Sequence, residues 1–97
     1  MADKVKISIS EANAAVRAIK SKANEAQNTV NRLQRDIGNV MSWWEGDSAV
    51  AFVNEFEKSK KDFDKMIECI NRYGDLLTRA IKIQQDADAE IARKMHG

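Results

Sequence analysis

Residues 42–49 read Ser-Trp-Trp-Glu-Gly-Asp-Ser-Ala, and this stretch divides the chain into two segments of similar length. Because glycine tolerates a positive φ angle, Gly46 can end one helix, while Asp47 or Ser48 can cap the next. On both sides of the stretch the apolar residues recur with helical spacing. The sequence therefore predicts an all-α fold in which a turn at residues 43–48 joins two long helices.

The segment before the turn carries two uncharged rows of residues with alternating spacings of four and three. One row holds Ile9, Val16, Ala23, Val30, Ile37 and Trp44, and the other holds Ala12, Ile19, Ala26, Leu33 and Val40. This heptad pattern predicts a first helix over about residues 10–42. Ser8 with Glu11, or Ser10 alone, would supply its N-terminal cap, and residues 3–9 are expected to form a short extended arm.

The segment after the turn has a broader apolar stripe, which predicts a second helix over about residues 49–83 and a tail at 84–97. Its central row is Ala49, Phe56, Phe63, Ile70, Leu77 and Ile91, with flanking rows that contain Phe52, Met66 and Tyr73 on one side and Val53, Ile67 and Ile81 on the other. A short turn makes the helices antiparallel neighbours, and residues 1–97 are expected to form one domain.

This antiparallel pairing places Phe63 opposite the small residues Ala23 and Ala26. Gly74 lies inside the second helix, where glycine costs about 1 kcal/mol relative to alanine. It either permits a close approach near Val16 or marks a bend, and the sequence does not choose between them.

The stripe on the second helix is wider than one narrow helix can cover, which would leave Phe52 and Met66 exposed. Such patches usually mark an interaction site, and a two-helix chain has little core of its own. We therefore expect two hairpins to form a four-helix bundle as a homodimer, with a heterodimer as the alternative. The hairpin and dimer contacts are assigned to Phe52, Phe56, Phe63, Met66, Ile70 and Leu77.

Composition excludes several functional classes. The formal net charge is +1, which gives no general attraction to nucleic acid. The longest apolar run is residues 49–53, too short for stable membrane insertion, and the N-terminus lacks the apolar core of a signal peptide. No metal site, cofactor loop or catalytic set can be assembled, so an enzyme is not expected.

The chain has a single cysteine and a single histidine. We expect Cys69 to be a half-buried packing residue, with a disulfide between subunits after export as the alternative. His96, near the end of the second helix, is expected to be neither catalytic nor a metal ligand.

Trp44-Glu45-Gly46 between two amphipathic helices, in a chain of 97 residues, resembles the WXG family of early-secreted-antigen-like proteins. Ala49, Phe52 and Phe56 match the small and aromatic positions that the family places after its glycine. The resemblance implies a substrate of the type VII (ESX-like) secretion system of Gram-positive bacteria and mycobacteria. Such proteins leave the cell as folded homodimers or heterodimers without a cleaved signal peptide, and the secretion ATPase is then a partner.

The resemblance also implies an export signal near the C-terminus, often Tyr-x-x-x-Asp/Glu. This chain departs from that pattern, because its only tyrosine, Tyr73, is followed four residues later by Leu77. Asp88, Ile91 and Met95 resemble a related arrangement of an acidic residue followed by spaced hydrophobic residues. The alternative is that these three residues are simply the last turns of the second helix.

Trp44 and Gly46 are expected to act first as a packed corner of the hairpin, with a contact to the secretion machinery as a further role. The function that follows from the resemblance is a secreted protein that acts by protein–protein interaction, as a virulence factor or a co-secreted partner. One alternative is an intracellular coiled-coil adaptor or chaperone. A second is a membrane-active protein, which the mixed charge of both polar faces disfavours.

Overall fold

The structure, a computed structural model, describes the backbone of residues 6–96 and the side chains of residues 6–95. Helix α1 spans Ile9–Asn39, a short 3-10 turn covers Val40–Ser42, and helix α2 spans Asp47–His96. The helices pack side by side in opposite directions. The predicted all-α antiparallel hairpin is therefore confirmed.

The N-terminal cap of helix α1 is Ser8, one of the two caps that the sequence offered. The Ser8 hydroxyl oxygen accepts the backbone N–H of Glu11 at 3.4 Å. Residues 6–8 precede the helix without helical structure, and residues 3–5 of the predicted arm lie outside the described part of the chain. Ile9 is already helical, so the arm ends one residue earlier than expected.

The regular part of α1 ends at Asn39, three residues before the predicted boundary at 42. The chain continues there as a 3-10 turn. Its hydrogen bonds between residues three apart occupy carbonyl groups that would otherwise lack partners at the end of the helix. The Ser42 hydroxyl donates a hydrogen bond to the Asn39 carbonyl at 2.6 Å, and this bond satisfies one of them.

Helix α2 is longer at both ends than the sequence indicated. It starts at Asp47, so Asp47 and Ser48 belong to its first turn and neither is the capping residue before it. It also continues through residue 83 to His96, so the segment that the sequence analysis set apart as a tail is helical and continuous with α2. Residues 84–95 contain no glycine or proline to interrupt the hydrogen-bonding pattern.

The centre of the hairpin is a cluster of Ala23, Val30 and Ile67, against which Ala26, Phe63 and Ile70 pack. The predicted meeting of Phe63 with the two alanines is confirmed. Along α2 the most buried residues are Ala49, Phe56, Ile67, Gly74 and Ile81.

This buried row moves off the predicted central row at Ile67, and Ile70 and Leu77 are only half-buried. A nearly straight helix has 3.6 residues per turn rather than 3.5, so a heptad row drifts slowly around it.

Gly74 is a point of close approach, and α2 continues through it as one helix. A β-carbon at Gly74 would lie 3.0 Å from Lys20 Cε and 3.4 Å from Ile19 Cγ2. The neighbour is therefore the level of Ile19 and Lys20, about one turn from the predicted Val16. Lys20 crosses α2 here, since its Nζ donates to Asp75 Oδ1 at 2.6 Å and to the Asn71 carbonyl at 3.3 Å.

Because α2 is longer than α1, residues 85–95 of α2 extend beyond the end of α1. We name this segment the overhang. At 1.5 Å per residue α1 is about 46 Å long and α2 about 75 Å, in agreement with the overall dimensions of 76 × 22 × 20 Å. Buried Ala12 and Ile81 mark the last level at which the helices cover each other. All residues from 85 to 95 are exposed.

Candidate functional site

The corner of the hairpin is built around Gly46. Its φ is 110°, in the range that favours glycine, and its carbonyl accepts the N–H groups of Ala49 at 3.1 Å and Val50 at 3.2 Å. The positive φ therefore lies at the start of α2 and not at the end of α1. Ala49, completely buried, follows directly, so the chain turns tightly into the core.

The two tryptophans before Gly46 lie in different environments. The backbone N–H of Trp44 donates to the Val40 carbonyl at 2.8 Å, and its half-buried ring lies 5.5 Å from the Phe52 ring at an angle of 48°. Trp43 stacks on Trp44 with ring centres 6.3 Å apart and is 72% exposed. Trp44 thus packs the corner, whereas Trp43 presents most of its ring to solvent.

The six residues assigned to hairpin and dimer contacts fall into two groups. Phe56 is buried, and Phe63, Ile70 and Leu77 are half-buried inside the hairpin. Phe52, on which Trp44 packs, is 42% exposed, and Met66 is 53% exposed.

Sequence reasoning missed much of the exposed apolar surface on α2. Tyr73 had been placed in a flanking row, but Leu76 and Ile83 had not been noticed, and all three are more than half exposed. Their signal was available, because Leu76 and Ile83 continue a seven-residue spacing that starts at Cys69. We name the exposed side chains Phe52, Met66, Tyr73, Leu76 and Ile83 the lateral face.

Cys69 is exposed and lies within the lateral face, so the expectation of a half-buried packing residue was wrong. With Arg72, Tyr73 and Leu76 it lines a shallow groove on the outer side of α2. The reason is the drift of the buried row, which passes through Ile67 and so turns Cys69 outward.

The export-signal candidates lie on the overhang of α2. Asp88, Ile91 and Met95 are all exposed, and their spacing of three and four places them on one face of the helix. Asp88 Oδ1 accepts a hydrogen bond from Gln84 Nε2 at 3.0 Å. Asp88 is about 60 Å from the corner along α2, so one chain does not bring the two candidate sites together.

Within residues 6–95, no group of three or more His, Cys, Asp and Glu side chains could hold a metal ion. Neither described helix is long and apolar enough to span a bilayer. The side chain of His96 lies outside the described part. The features that remain are surfaces: a corner, a lateral face and an overhang.

A chain of 97 residues that folds into a helical hairpin with a Trp-x-Gly corner belongs to a class of small helical proteins. The model of the WXG100 family, described as proteins of 100 residues with WXG, matches residues 4–89. The chain belongs to the WXG100 family, whose members are associated with type VII secretion.

Two individual proteins are similar over nearly the whole chain. Protein YukE of Bacillus subtilis (strain 168) is 29% identical over 97 residues, which is the full length of both proteins. The crystal structure of EsxA from Geobacillus thermodenitrificans superimposes with a TM-score of 0.80 at 24% identity, over 94% of this chain and all of that one. The structural match supports the hairpin fold.

Proposed function

We propose that this protein is a substrate of a type VII secretion system, is exported as a folded dimer and acts through protein–protein interaction. The observation that carries the proposal is membership of the WXG100 family across residues 4–89, with Trp44 and Gly46 at the corner of the hairpin. Export is proposed to occur without a cleaved signal peptide, and the ATPase of the secretion system is the partner inside the cell.

The exposed surfaces support recognition as the mechanism. Within residues 6–95 the hairpin buries eight hydrophobic side chains, none of them larger than phenylalanine, and it leaves the side chains of the lateral face exposed. A two-helix hairpin with so small a core gains most from a partner that covers this face. We therefore propose a dimer in the form of a four-helix bundle.

The corner and the overhang are proposed as the two parts of the export signal. Trp44 and Gly46 present a rigid turn, and Asp88, Ile91 and Met95 present one face of an uncovered helix. Because they are far apart within one chain, a receptor that reads both would use the corner of one subunit and the overhang of the other. This part of the proposal depends on the dimer.

The test is an immunoblot of culture supernatant from the producing organism, with and without the ATPase of its secretion system. A cytosolic marker controls for lysis. We expect the protein in the supernatant only when the ATPase is present. If it stays inside the cell in both strains, the proposal fails and the intracellular adaptor or chaperone is favoured.

Variants then locate the signal. Deletion of residues 86–97 is expected to abolish export, and so is Ile91→Ala combined with Met95→Ala. Arg93→Ala is the matched control, because Arg93 lies on the opposite face of the same helix. Trp44→Ala should reduce export, and Trp43→Ala tests whether that loss is specific to the packed ring. Normal export of the truncated chain would show that the overhang is only the end of α2.

Outside the cell we propose either action on a host target, as a virulence factor, or escort of a co-secreted partner. Deleting the gene and measuring export of other substrates separates the two, since only an escort changes their export. A membrane-active role predicts leakage of liposomes by the purified protein. The lack of a membrane-spanning helix among the described residues gives that role no support.

A further inference from the structure

We propose that the corner of the hairpin binds an arginine-bearing segment of a partner protein, with an arginine side chain stacked on Trp43 and paired with Glu45 and Asp47. This inference rests on the proposed function in that both treat the hairpin as a recognition protein. It adds the chemistry of the partner that the corner fits.

Trp43 is the most exposed aromatic ring among the described residues. One face of the ring stacks on Trp44, with an angle of 16° between the two planes. Trp44 in turn packs on Phe52, so the three rings form a continuous stack with Trp43 at its outer end. Because Trp43 is 72% exposed and is covered on one face, its other face is open to solvent.

The folding of the hairpin does not account for the Trp43 ring. The backbone N–H of Trp43 donates to the Val40 carbonyl at 3.1 Å, a hydrogen bond that any residue except proline can make. The ring that packs the corner is that of Trp44. Tryptophan is enriched at protein interfaces, where one ring can supply much of the binding energy. The open face of Trp43 is therefore a contact surface for a partner.

The charge around Trp43 is of one sign. Between Arg35 and Lys58 the chain has no Lys, Arg or His, and it has five acidic residues: Asp36, Glu45, Asp47, Glu55 and Glu57. These are five of the 15 acidic residues, whereas all 16 Lys and Arg residues lie elsewhere. The corner end of the hairpin is therefore negative, although the whole chain has a net charge of +1.

The carboxylates of this region are available for pairing. All five are exposed, and none takes part in an ion pair within residues 6–95. Asp36 shares a shallow groove with Arg32, which offsets part of its charge. Asp47, in the first turn of α2, also stabilises the positive end of the helix dipole. These two effects leave the charges of Glu45, Glu55 and Glu57 uncompensated.

The end of α1 adds to the negative potential of the corner. The carbonyl groups at the C-terminus of a helix carry partial negative charge, which a basic residue in the last turn usually offsets. The last turn of α1 has no basic residue. A partner with positive charge is therefore complementary to the corner, and such complementarity favours both the rate and the specificity of binding.

The combination of a ring and carboxylates favours arginine as the contacting residue. A residue spans at most about 3.6 Å, so the Cα atoms of Trp43 and Glu45 are at most about 7 Å apart. One guanidinium group can stack on an indole and donate two parallel hydrogen bonds to a carboxylate. The ammonium group of lysine is a compact point charge without this planar geometry.

The same charges disfavour other partners. A nucleic acid or an anionic lipid would bring phosphate groups next to the carboxylates, and the repulsion would oppose binding. A purely apolar partner would cover Trp43 but would hold Glu45 and Asp47 near apolar surface without counter-ions, which is costly. A basic segment covers the ring and neutralises the charges together.

The test is a titration of the purified full-length chain with the peptide acetyl-Gly-Arg-Gly-Arg-Gly-Arg-amide, followed by proton–nitrogen NMR. The chain has two tryptophans, so each indole N–H reports its own ring. At about 10 mM salt, where the screening length is about 30 Å, the Trp43 indole signal should shift more than that of Trp44. The matching lysine peptide should bind about twofold more weakly, and the glutamate peptide should not bind.

Variants locate the site at about 100 mM salt, where the screening length is about 10 Å and distant charges have little effect. Trp43→Ala should weaken binding of the arginine peptide by about threefold. Trp43→Tyr keeps an aromatic face and should restore most of the affinity. Glu45→Gln combined with Asp47→Asn should weaken binding by about fivefold, since two exposed pairs are lost.

The matched control is Asp64→Asn combined with Glu68→Gln. It changes the net charge by the same amount on two exposed residues, about 26 Å and 32 Å from Asp47 along α2. This variant should bind the arginine peptide as the wild type does. An unchanged Trp44 indole signal in each variant shows that the corner is still folded.

The inference is overturned if the arginine peptide does not bind, if the Trp43 signal does not shift, or if the control variant loses as much affinity as the corner variant. It is also overturned if Glu45→Gln with Asp47→Asn weakens self-association in sedimentation equilibrium, because the carboxylates would then face a second copy of this chain. A shift of the Trp43 signal by phosphatidylcholine vesicles and not by the peptide would assign the ring to a membrane surface instead.

These measurements use only purified protein, so their result is independent of export. Binding of the arginine peptide at the corner of a chain that is not exported would leave the inference in place and remove the proposed function. Export of a chain that does not bind the peptide would do the reverse.

Discussion

Lys20 of α1 lies across Gly74 of α2, so that a β-carbon at Gly74 would stand 3.0 Å from Lys20 Cε. The Lys20 ammonium group continues past this point to Asp75 Oδ1, 2.6 Å away. Together these contacts define the level at which the two helices pair near the open end of the hairpin. They also explain why α2 has a glycine inside a regular helix.

Gly74 therefore allows a paired prediction. Gly74→Ala gains about 1 kcal/mol of helix propensity, and the flexible end of Lys20 has to move by a few tenths of an ångström. The loss at an exposed ion pair is below about 1 kcal/mol, so the free energy of unfolding should stay within about 0.5 kcal/mol of the wild type. Gly74→Val adds atoms next to Ile19 and should destabilise by about 2 kcal/mol. Urea unfolding at one protein concentration measures both, and equal effects would contradict the close approach.

The glycine of the corner should behave differently. Gly46 has φ 110° with open space where a β-carbon would lie, so Gly46→Ala should cost about 1–3 kcal/mol through backbone strain alone. Gly38 in α1 also has open space but has no positive φ, so Gly38→Ala should stabilise by up to about 1 kcal/mol. Thermal unfolding followed by circular dichroism gives the two changes, and the prediction fails if they have the same sign.

Ala49 tests how tightly the corner is packed. It is 0% exposed directly after the turn, whereas Ala51, two residues later, is exposed. Ala49→Leu should therefore lower the free energy of unfolding by about 1–3 kcal/mol through overpacking. Ala51→Leu should change it by less than about 0.5 kcal/mol. A tolerated leucine at Ala49 would mean that the corner opens readily.

Alanine variants of the two tryptophans should differ in stability, because Trp44 packs in the corner whereas Trp43 is mostly exposed. Trp44→Ala removes the ring that packs on Phe52 and is expected to cost about 2–3 kcal/mol, less than a fully buried tryptophan. Trp43→Ala should cost less than about 1 kcal/mol, because the ring is mostly exposed. Guanidinium unfolding followed by far-ultraviolet circular dichroism avoids dependence on tryptophan fluorescence. Equal losses would contradict the different roles assigned to the two rings.

Much of this protein follows from local patterns. The uncharged heptad rows of α1, the cap at Ser8 and the glycine in the turn each act over a few residues, and the structure shows two helices where they predict them. The pairing of Phe63 with Ala23 and Ala26 follows from antiparallel packing with a short turn. Trp44-Glu45-Gly46 indicated the family, and the family match confirms it.

The surfaces were less predictable, because they depend on the angle at which each helix meets the other. A heptad row drifts around a straight helix, so which of two adjacent rows is buried is decided by contacts between the helices. That drift buried Ile67 and Ile81 and left Cys69, Leu76 and Ile83 exposed. The assignment of Asp88, Ile91 and Met95 to an export signal stays a prediction, because the exposure of these side chains does not identify a receptor.

The sequence by itself determined the two amphipathic helices, the turn between them and the family, because these depend on spacing and on single residues such as Gly46. Only the tertiary structure decided the exact level of pairing at Gly74, the burial of Ile67 and Ile81, and the composition of the lateral face. Each of these depends on where one helix lies against the other. A pattern along one chain carries little information about that, because several neighbouring levels bury almost the same apolar residues.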